Sequence, residues 1–113
     1  MMTLQDQQWE FLKDVAKLIQ YADSIGYELT GGELYRTKEQ AQLNAKKGTG
    51  IAKSLHTQRL AIDFNLFVHG EWRQDSDSHK LLGAYWKKLN VLNRWGGDFN
   101  SRPDGNHYER NCL

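Results

Sequence analysis

Hydrophobic side chains near the start of the chain recur with helical spacing. From Leu4 to Ile25 they fall near every third or fourth residue, which is the period of an amphipathic α-helix. Thr3 suits the N-cap of this helix and Gly26 suits its stop. The recurring positions are Leu4, Phe11, Leu12, Val15, Leu18, Ile19 and Ala22. We therefore predict a first helix that packs this face against a core.

The clearest strand pattern lies between Leu60 and Phe67, where apolar and polar positions alternate. Side chains of a strand point alternately to its two faces. One face then carries Leu60, Ile62, Phe64 and Leu66, and the other carries Ala61, Asp63, Asn65 and Phe67. We expect the aliphatic face to pack on a helix. The residues Val68 to Glu71 predict a turn, after which Glu71, Trp72 and Arg73 pair back as a hairpin.

The remaining segments complete an α+β pattern. We predict a bent strand over Tyr27–Tyr35, a short helix over Thr37–Lys47, a loop at Gly48–Gly50, a long helix over Ser76–Leu92, and short strands at Trp95–Phe99 and His107–Arg110. This order favours a small, mainly antiparallel sheet with flanking helices. A length of 113 residues favours one domain over residues 1–113.

Composition narrows the classes of function. The formal charge is +1, from 15 basic and 14 acidic residues, so no basic excess indicates nucleic acid as a partner. Cys112 is the one cysteine, which excludes an internal disulfide and suits a reducing cytoplasm. No apolar run approaches the roughly 20 residues that span a bilayer. The first residues lack the features of a signal peptide, so we expect release by another factor if the substrate lies outside the cytoplasm.

A zinc site is the first chemical hypothesis. His56, Asp63 seven positions later and the late His107 supply two imidazoles and one carboxylate, which can bind Zn²⁺ and leave a fourth position for water. Residues seven apart in a continuous strand face opposite sides. We therefore predict that His56 lies on a bend before the strand that carries Asp63. The alternatives are a surface histidine at His56 and a solvated carboxylate at Asp63.

Three further charged residues are candidates for roles near this site. Asp104 lies at the edge of a turn three residues before His107 and could take a proton from water; its alternative role is turn formation beside Gly105. Arg36 could hold a substrate carbonyl or carboxylate, or lie on the surface. Glu109 is a second candidate acid, or a partner of a ligand histidine.

Two other histidines are expected to be exposed. His69 falls in the predicted hairpin turn, and His79 falls near the start of the predicted Ser76–Leu92 helix. Neither is assigned a role at the metal.

Two segments together resemble a known family. The run Ser54-Leu55-His56-Thr57-Gln58-Arg59-Leu60-Ala61-Ile62-Asp63 resembles the Ser-x-His-x-x-Gly-x-Ala-x-Asp signature of the D-Ala-D-Ala carboxypeptidase and L-alanyl-D-glutamate peptidase family of zinc peptidases. Asp104-Gly105-Asn106-His107 resembles its second signature. Gly32-Glu33-Leu34-Tyr35-Arg36-Thr37, with Gln40, resembles a third element, an arginine before a short helix.

The resemblance implies a fold of the hedgehog and DD-peptidase type and a role for each matched residue. His56, Asp63 and His107 would bind Zn²⁺, and Asp104 would be the catalytic base. Arg36 would polarise the substrate carbonyl, and Ser54 would support the site.

The implied function is a monomeric peptidoglycan endopeptidase, similar to phage endolysins, that cleaves the L-alanyl-D-glutamate bond of the stem peptide. The alternatives are a D-Ala-D-Ala carboxypeptidase or dipeptidase, and a catalytically silent, zinc-stabilised module that binds the cell wall.

Arg59 departs from the signature. The family has glycine at this position, and glycine adopts positive φ at little cost. Either the turn relaxes to a conformation that suits arginine, or Arg59 reaches into the substrate groove.

Overall fold

The computed structural model describes residues 2–48 and 54–112. Within these residues the α-helices are α1 Leu4–Ser24, α2 Lys38–Lys46 and α3 Lys80–Leu89, and the strands are β1 Tyr27–Gly31, β2 Ala61–Val68, β3 Glu71–Arg73, β4 Asn93–Trp95 and β5 His107–Arg110. Short 3-10 helices cover Leu55–Gln58, Ser76–His79 and Gly96–Asp98. Thr49 and Gly50 of the predicted loop lie outside the described residues.

The predicted helix caps are confirmed. The Thr3 hydroxyl accepts from the Asp6 N–H, and the Asp6 carboxylate accepts from the Thr3 N–H at 2.9 Å, a reciprocal pair that starts α1. Thr37 caps α2 by accepting from the Gln40 N–H at 3.0 Å. Gly26 follows α1 with φ at 80°, a conformation that ends a helix at little cost in glycine.

Strand β2 is the centre of an antiparallel sheet with the order β1-β2-β5-β4. On the edge away from β1, β2 pairs with β5 through residues 61–63 and with β3 through residues 66–68. Ile62, Phe64 and Leu66 are buried, as the alternation predicts. The predicted α+β fold class is confirmed.

The helices cover the aliphatic face of the sheet. The core consists of Phe11, Val15, Leu18 and Ala22 of α1, Leu82 and Trp86 of α3, and Leu60, Ile62, Phe64, Leu66, Trp95 and Tyr108 of the sheet region. Phe11 and Trp86 meet edge to face with ring centroids 5.6 Å apart. Because one face of β2 is buried in this core, the side chains of Asp63 and Asn65 lie on the other face. No helix among the described residues is long and apolar enough to cross a bilayer.

Three local predictions are wrong. The predicted Ser76–Leu92 helix begins as a 3-10 turn capped by Asp75, and α3 ends at Leu89 because Asn90 is extended. The predicted strand at Trp95–Phe99 turns into a 3-10 helix at Gly96. His79 is buried, 1% exposed, and its Nδ1 lies 2.9 Å from the Tyr108 hydroxyl oxygen, which satisfies the buried nitrogen. His69 is exposed in the hairpin turn, as predicted.

Candidate metal centre

His56 lies on a bend before β2, as strand parity predicts. It belongs to the 3-10 helix Leu55–Gln58, which Ser54 caps: the Ser54 hydroxyl accepts from the His56 N–H at 3.2 Å. The buried ring of His56 donates from Nδ1 to the Leu34 carbonyl at 3.1 Å. A carbonyl can only accept, so Nδ1 carries a proton, and Nε2 is the ring nitrogen that faces the cluster.

Asp63 and His107 face each other across neighbouring strands. They are partners in the antiparallel register of β2 and β5, so their side chains project from the same face of the sheet. Asp63 Oδ1 lies 3.1 Å from His107 Nδ1 and 3.3 Å from His56 Nε2. The sheet register and the bend at His56 therefore bring the three predicted ligands together.

The spacing of these atoms suits a tetrahedral zinc ion. Ligand atoms of the three residues all lie within 4.8 Å of one another. With Zn–N and Zn–O distances near 2.0–2.2 Å, two ligand atoms of a tetrahedral ion are about 3.3 Å apart. Two imidazole nitrogens and one carboxylate oxygen are also a donor set that zinc accepts in catalytic sites. The residues present fit the metal that the sequence predicts.

Electrostatics hold Asp63 in its charged form. Burial opposes ionisation, but hydrogen bonds and charge from His107 and His56 outweigh it and lower the Asp63 pKa to about 2. Burial also opposes the charged form of His107, and the hydrogen bonds to Asp63 and Glu109 outweigh it, raising the His107 pKa to about 9. The site thus concentrates negative charge around nitrogen donors, which favours a cation.

Glu109 lies behind His107. Its Oε1 accepts from His107 Nε2 at 2.7 Å, and its Oε2 accepts from Arg94 Nε at 2.7 Å. The residue is buried, and its pKa is lowered by those contacts despite burial. A carboxylate on the far nitrogen of a metal-binding histidine fixes the ring and its tautomer. Both oxygens are engaged, and this geometry places Glu109 where it can orient the His107 ring.

Asp104 is held at the rim of this cluster by the backbone. Its N–H donates to the Gly96 carbonyl at 2.9 Å, and its own carbonyl accepts from the His107 N–H at 3.0 Å. A Cβ on Gly96 would lie 2.0 Å from the Asp104 carbonyl oxygen, so glycine is required for this approach. Partial loss of solvent raises the Asp104 pKa, and the charge of Asp63 raises it further. The exposed Asp104 carboxylate is therefore within electrostatic reach of the donor cluster.

Arg36 reaches the cluster through a residue that sequence reasoning missed. Its guanidinium donates from Nε to Glu33 Oε1 at 2.9 Å and contacts the same oxygen through Nη2. Glu33 Oε1 lies 3.9 Å from His56 Nε2. The backbone N–H of Arg36 also donates to the backbone carbonyl of His56 at 3.1 Å. The spacing of Glu33 and Arg36, three apart, was the available sequence signal, but only the fold shows that it faces a metal site.

The chain between β1 and α2 is held against the Asp63 backbone. The Gly32 N–H donates to the Asp63 carbonyl, and the Asp63 N–H donates to the Glu33 carbonyl, both at 2.8 Å. A Cβ on Gly32 would lie 2.8 Å from the Asp63 carbonyl oxygen. Gly32 therefore lets this segment approach the strand that carries Asp63.

Arg59 has a backbone conformation that glycine adopts at little cost. Its φ and ψ are 56° and 37°, in the left-handed region, so the expectation that the turn relaxes is wrong. The exposed Arg59 guanidinium stacks over the Tyr35 ring at 4.0 Å from its centroid. A cation–π contact at an exposed site contributes about 0.5–1 kcal/mol, which offsets part of the backbone strain.

Comparison with known proteins agrees with the geometry. A sequence model of a family described as D-alanyl-D-alanine carboxypeptidase matches residues 47–110, more than half of the chain. An L-alanyl-D-glutamate peptidase of Listeria phage A118 is 33% identical over an alignment of 100 residues, and the match covers 84% of this chain. The chain spans 34% of that relative's length.

Two solved structures share the fold. The Serratia marcescens L-Ala D-Glu endopeptidase ChiX superposes with a TM-score of 0.70 at 17% identity, over 87% of this chain and 78% of that one. The vancomycin resistance D,D-pentapeptidase VanY from a VanB-type resistance cassette, solved in complex with Zn(II), gives a TM-score of 0.59 at 16% identity, over 88% of this chain and 70% of that one.

Proposed function

Because the chain belongs to the D-alanyl-D-alanine carboxypeptidase family, we propose that it is a zinc-dependent peptidase that hydrolyses an amide bond of the peptidoglycan stem peptide. The bond between L-alanine and D-glutamate is the first choice, since the phage relative that carries this activity in its name matches most of the chain. Within residues 2–48 and 54–112, α1, α3 and the sheet share a hydrophobic core, which supports the assignment of residues 1–113 to one peptidase domain.

The observation that carries this proposal is the cluster of His56, Asp63 and His107. Its donor atoms have the spacing and chemistry of a zinc site. These three residues would hold Zn²⁺, which when bound polarises a carbonyl oxygen and lowers the pKa of a bound water. Ser54 and Leu34 orient His56, and Glu109 orients His107.

Asp104 and Arg36 would carry the chemistry that the chain itself supplies. Water adds to the carbonyl carbon, the carbon–nitrogen bond breaks, and one proton must move from the water to the departing amine. The Asp104 carboxylate would take that proton and deliver it to the amine nitrogen. Arg36 uses two of its five N–H donors on Glu33, so the others remain to hold the substrate carbonyl oxygen.

Substitution of Asp104 tests the proposal. Asp104→Ala should retain stoichiometric zinc and lose about 10²- to 10⁴-fold in kcat, the usual contribution of a general base. The matched control is Asp98→Ala, since Asp98 lies in the neighbouring 3-10 helix and pairs with Lys87 at 2.7 Å. Loss of zinc in Asp104→Ala would place Asp104 among the ligands. Unchanged activity would remove it from the reaction.

The family description and the VanY fold favour a second candidate, removal of a terminal D-alanine. Mass spectrometry of digested muropeptides separates the two activities: one releases D-alanine, and the other cuts after L-alanine. Stoichiometric zinc with no cleavage of either bond would contradict both and would favour a silent module that binds the cell wall.

A further inference from the structure

The segment that joins β1 to α2 is held by its backbone against two of the proposed zinc ligands. The Asp63 N–H donates to the Glu33 carbonyl at 2.8 Å. The Leu34 carbonyl accepts from His56 Nδ1 at 3.1 Å, and the backbone N–H of Arg36 donates to the backbone carbonyl of His56 at 3.1 Å. These contacts fix the backbone of Glu33 and Arg36 beside the proposed metal centre.

Backbone contacts alone do not fix the Arg36 guanidinium. An arginine side chain has several rotatable bonds, so one backbone position allows the guanidinium many positions. Glu33 removes this freedom, because Arg36 Nε donates to Glu33 Oε1 at 2.9 Å and Nη2 contacts the same oxygen. The Arg36 side chain is 14% exposed, so water screens its charge only weakly and the pairing with Glu33 sets the direction in which the guanidinium points.

The oxygen that holds Arg36 also lies at the edge of the ligand cluster. Glu33 Oε1 is 3.9 Å from His56 Nε2. Among the described residues, Arg36 forms an ion pair with Glu33 and with no other acid. Glu33 does not belong to the group of three residues whose ligand atoms lie together. Its carboxylate therefore links His56 to the guanidinium without being one of the proposed ligands.

The pairing leaves N–H donors of Arg36 for a substrate. Arginine has five N–H donors in a planar group, and Glu33 engages Nε and one N–H of Nη2. Both N–H groups of Nη1 and the second N–H of Nη2 remain. Donors that are already oriented before the reaction stabilise the negative charge that develops on a carbonyl oxygen, because they need no reorganisation.

We propose that Glu33 is a positioning residue, which orients the Arg36 guanidinium so that its remaining N–H donors face the carbonyl oxygen of the scissile amide. The inference rests on the proposed peptidase function, in which Arg36 holds that oxygen. Glu33 acts on the reaction through Arg36.

NMR measures the orientation of Arg36 without using catalysis. In the zinc-loaded protein, the Arg36 Nε–H signal is assigned by its absence in Arg36→Lys. Its order parameter should be about 0.85 in the wild type, as in rigid backbone, and below about 0.6 in Glu33→Ala, as in flexible segments. Glu39→Ala is the matched control and should keep the wild-type value, because Glu39 is exposed and lies three residues after Arg36, as Glu33 lies three residues before it.

Kinetics measure whether this orientation serves catalysis. Glu33→Ala should keep stoichiometric zinc and a KM within about threefold of the wild type. It should lower kcat by about 10- to 100-fold, no more than the cost of losing one donor to the carbonyl oxygen. In the Arg36→Ala background, Glu33→Ala should lower kcat by no more than about twofold, because no guanidinium is left to orient. Glu39→Ala should leave kcat unchanged in both backgrounds.

Several results would overturn the proposal. An Arg36 Nε–H that is mobile in the wild type, or equally rigid in Glu33→Ala, would show that Glu33 does not fix the guanidinium. Wild-type kcat in Glu33→Ala would remove Glu33 from the reaction. Equal losses of kcat in the wild-type and Arg36→Ala backgrounds would show that Glu33 acts by itself, and loss of zinc in Glu33→Ala would place it among the ligands.

Two further arrangements keep these outcomes distinct. If Glu33→Ala fails to fold, Glu33→Met replaces it, because methionine keeps the length of the side chain and lacks the carboxylate. Absence of cleavage by the zinc-loaded wild type, together with a rigid Arg36 Nε–H that is released in Glu33→Ala, would contradict the peptidase function and leave the orientation of Arg36 by Glu33 standing.

Discussion

Replacing Glu109 by glutamine should weaken zinc binding by about 10- to 100-fold while the fold is retained. Glu109 is not part of the cluster of His56, Asp63 and His107. Its contact with this cluster is at His107, whose Nε2 lies 2.7 Å from Glu109 Oε1. The substitution keeps the size of the side chain and removes its charge.

The magnitude follows from the contacts of the two carboxylate oxygens. A hydrogen bond to a charged group contributes about 1.5–3 kcal/mol and a neutral one about 0.5–1.5 kcal/mol, so the difference is about 1–1.5 kcal/mol. That difference corresponds to about tenfold in affinity. The Glu109 side chain is 7% exposed, so water cannot readily replace the lost charge at His107. The loss is therefore not expected to fall below this tenfold value, which is the lower end of the range.

Calorimetric titration of the metal-free protein with zinc measures the effect. Arg94→Gln is the matched control, since Arg94 binds the other oxygen of Glu109 and its side chain is 51% exposed. That variant leaves the charge of Glu109 in place and should change zinc affinity by no more than about threefold. Wild-type affinity in a folded Glu109→Gln variant would refute the reasoning. A larger loss in Arg94→Gln than in Glu109→Gln would refute it as well.

Three further predictions concern the ligands, the strained turn and pH. His56→Ala should abolish stoichiometric zinc binding, measured by metal analysis, and zinc retained by the variant would contradict the ligand assignment. Chelation of zinc from the wild type should lower its Tm, because metal binding couples to folding. Arg59→Gly should be about 1 kcal/mol more stable than Arg59→Ala in chemical denaturation, because alanine keeps the strain of positive φ; equal stabilities would contradict the strain. Burial lowers the His79 pKa below its ordinary 6.5. The stabilisation that depends on a neutral His79 ring is therefore fully present above pH 6.5. The free energy of unfolding then falls as pH falls toward the folded pKa, by at most about 1.4 kcal/mol per pH unit. His79→Gln should flatten that slope in denaturation series, and an unchanged slope would exclude His79 as its cause.

Local signals in the sequence were enough for the main elements. The first helix was predicted within a residue of its observed end, because the period of its apolar face and the Thr3 cap act over a few residues. The alternation along β2 identified both the buried face and the open face that carries Asp63. The prediction failed at the ends of two elements that packing sets, the end of α3 before Asn90 and the end of β4 before Gly96. Hydrophobic periodicity does not mark either end.

The sequence by itself determined the types of the proposed zinc ligands, their order and the need for a bend between His56 and Asp63, since these follow from donor chemistry and strand parity. Only the tertiary structure decided how the site is supported. Glu109 meets His107, and Glu33 meets both Arg36 and the edge of the cluster.

The tertiary structure also decided the burial of one residue that the sequence placed in solvent and the backbone conformation of another. His79 is buried under Tyr108, and Arg59 keeps the left-handed backbone of a glycine. A pocket beside Asp104 exists because β3 and β5 share one edge of β2 and leave a gap between them. These features depend on residues that are distant in the chain or on strand register. Neither a short window of sequence nor the propensity of one residue contains that information.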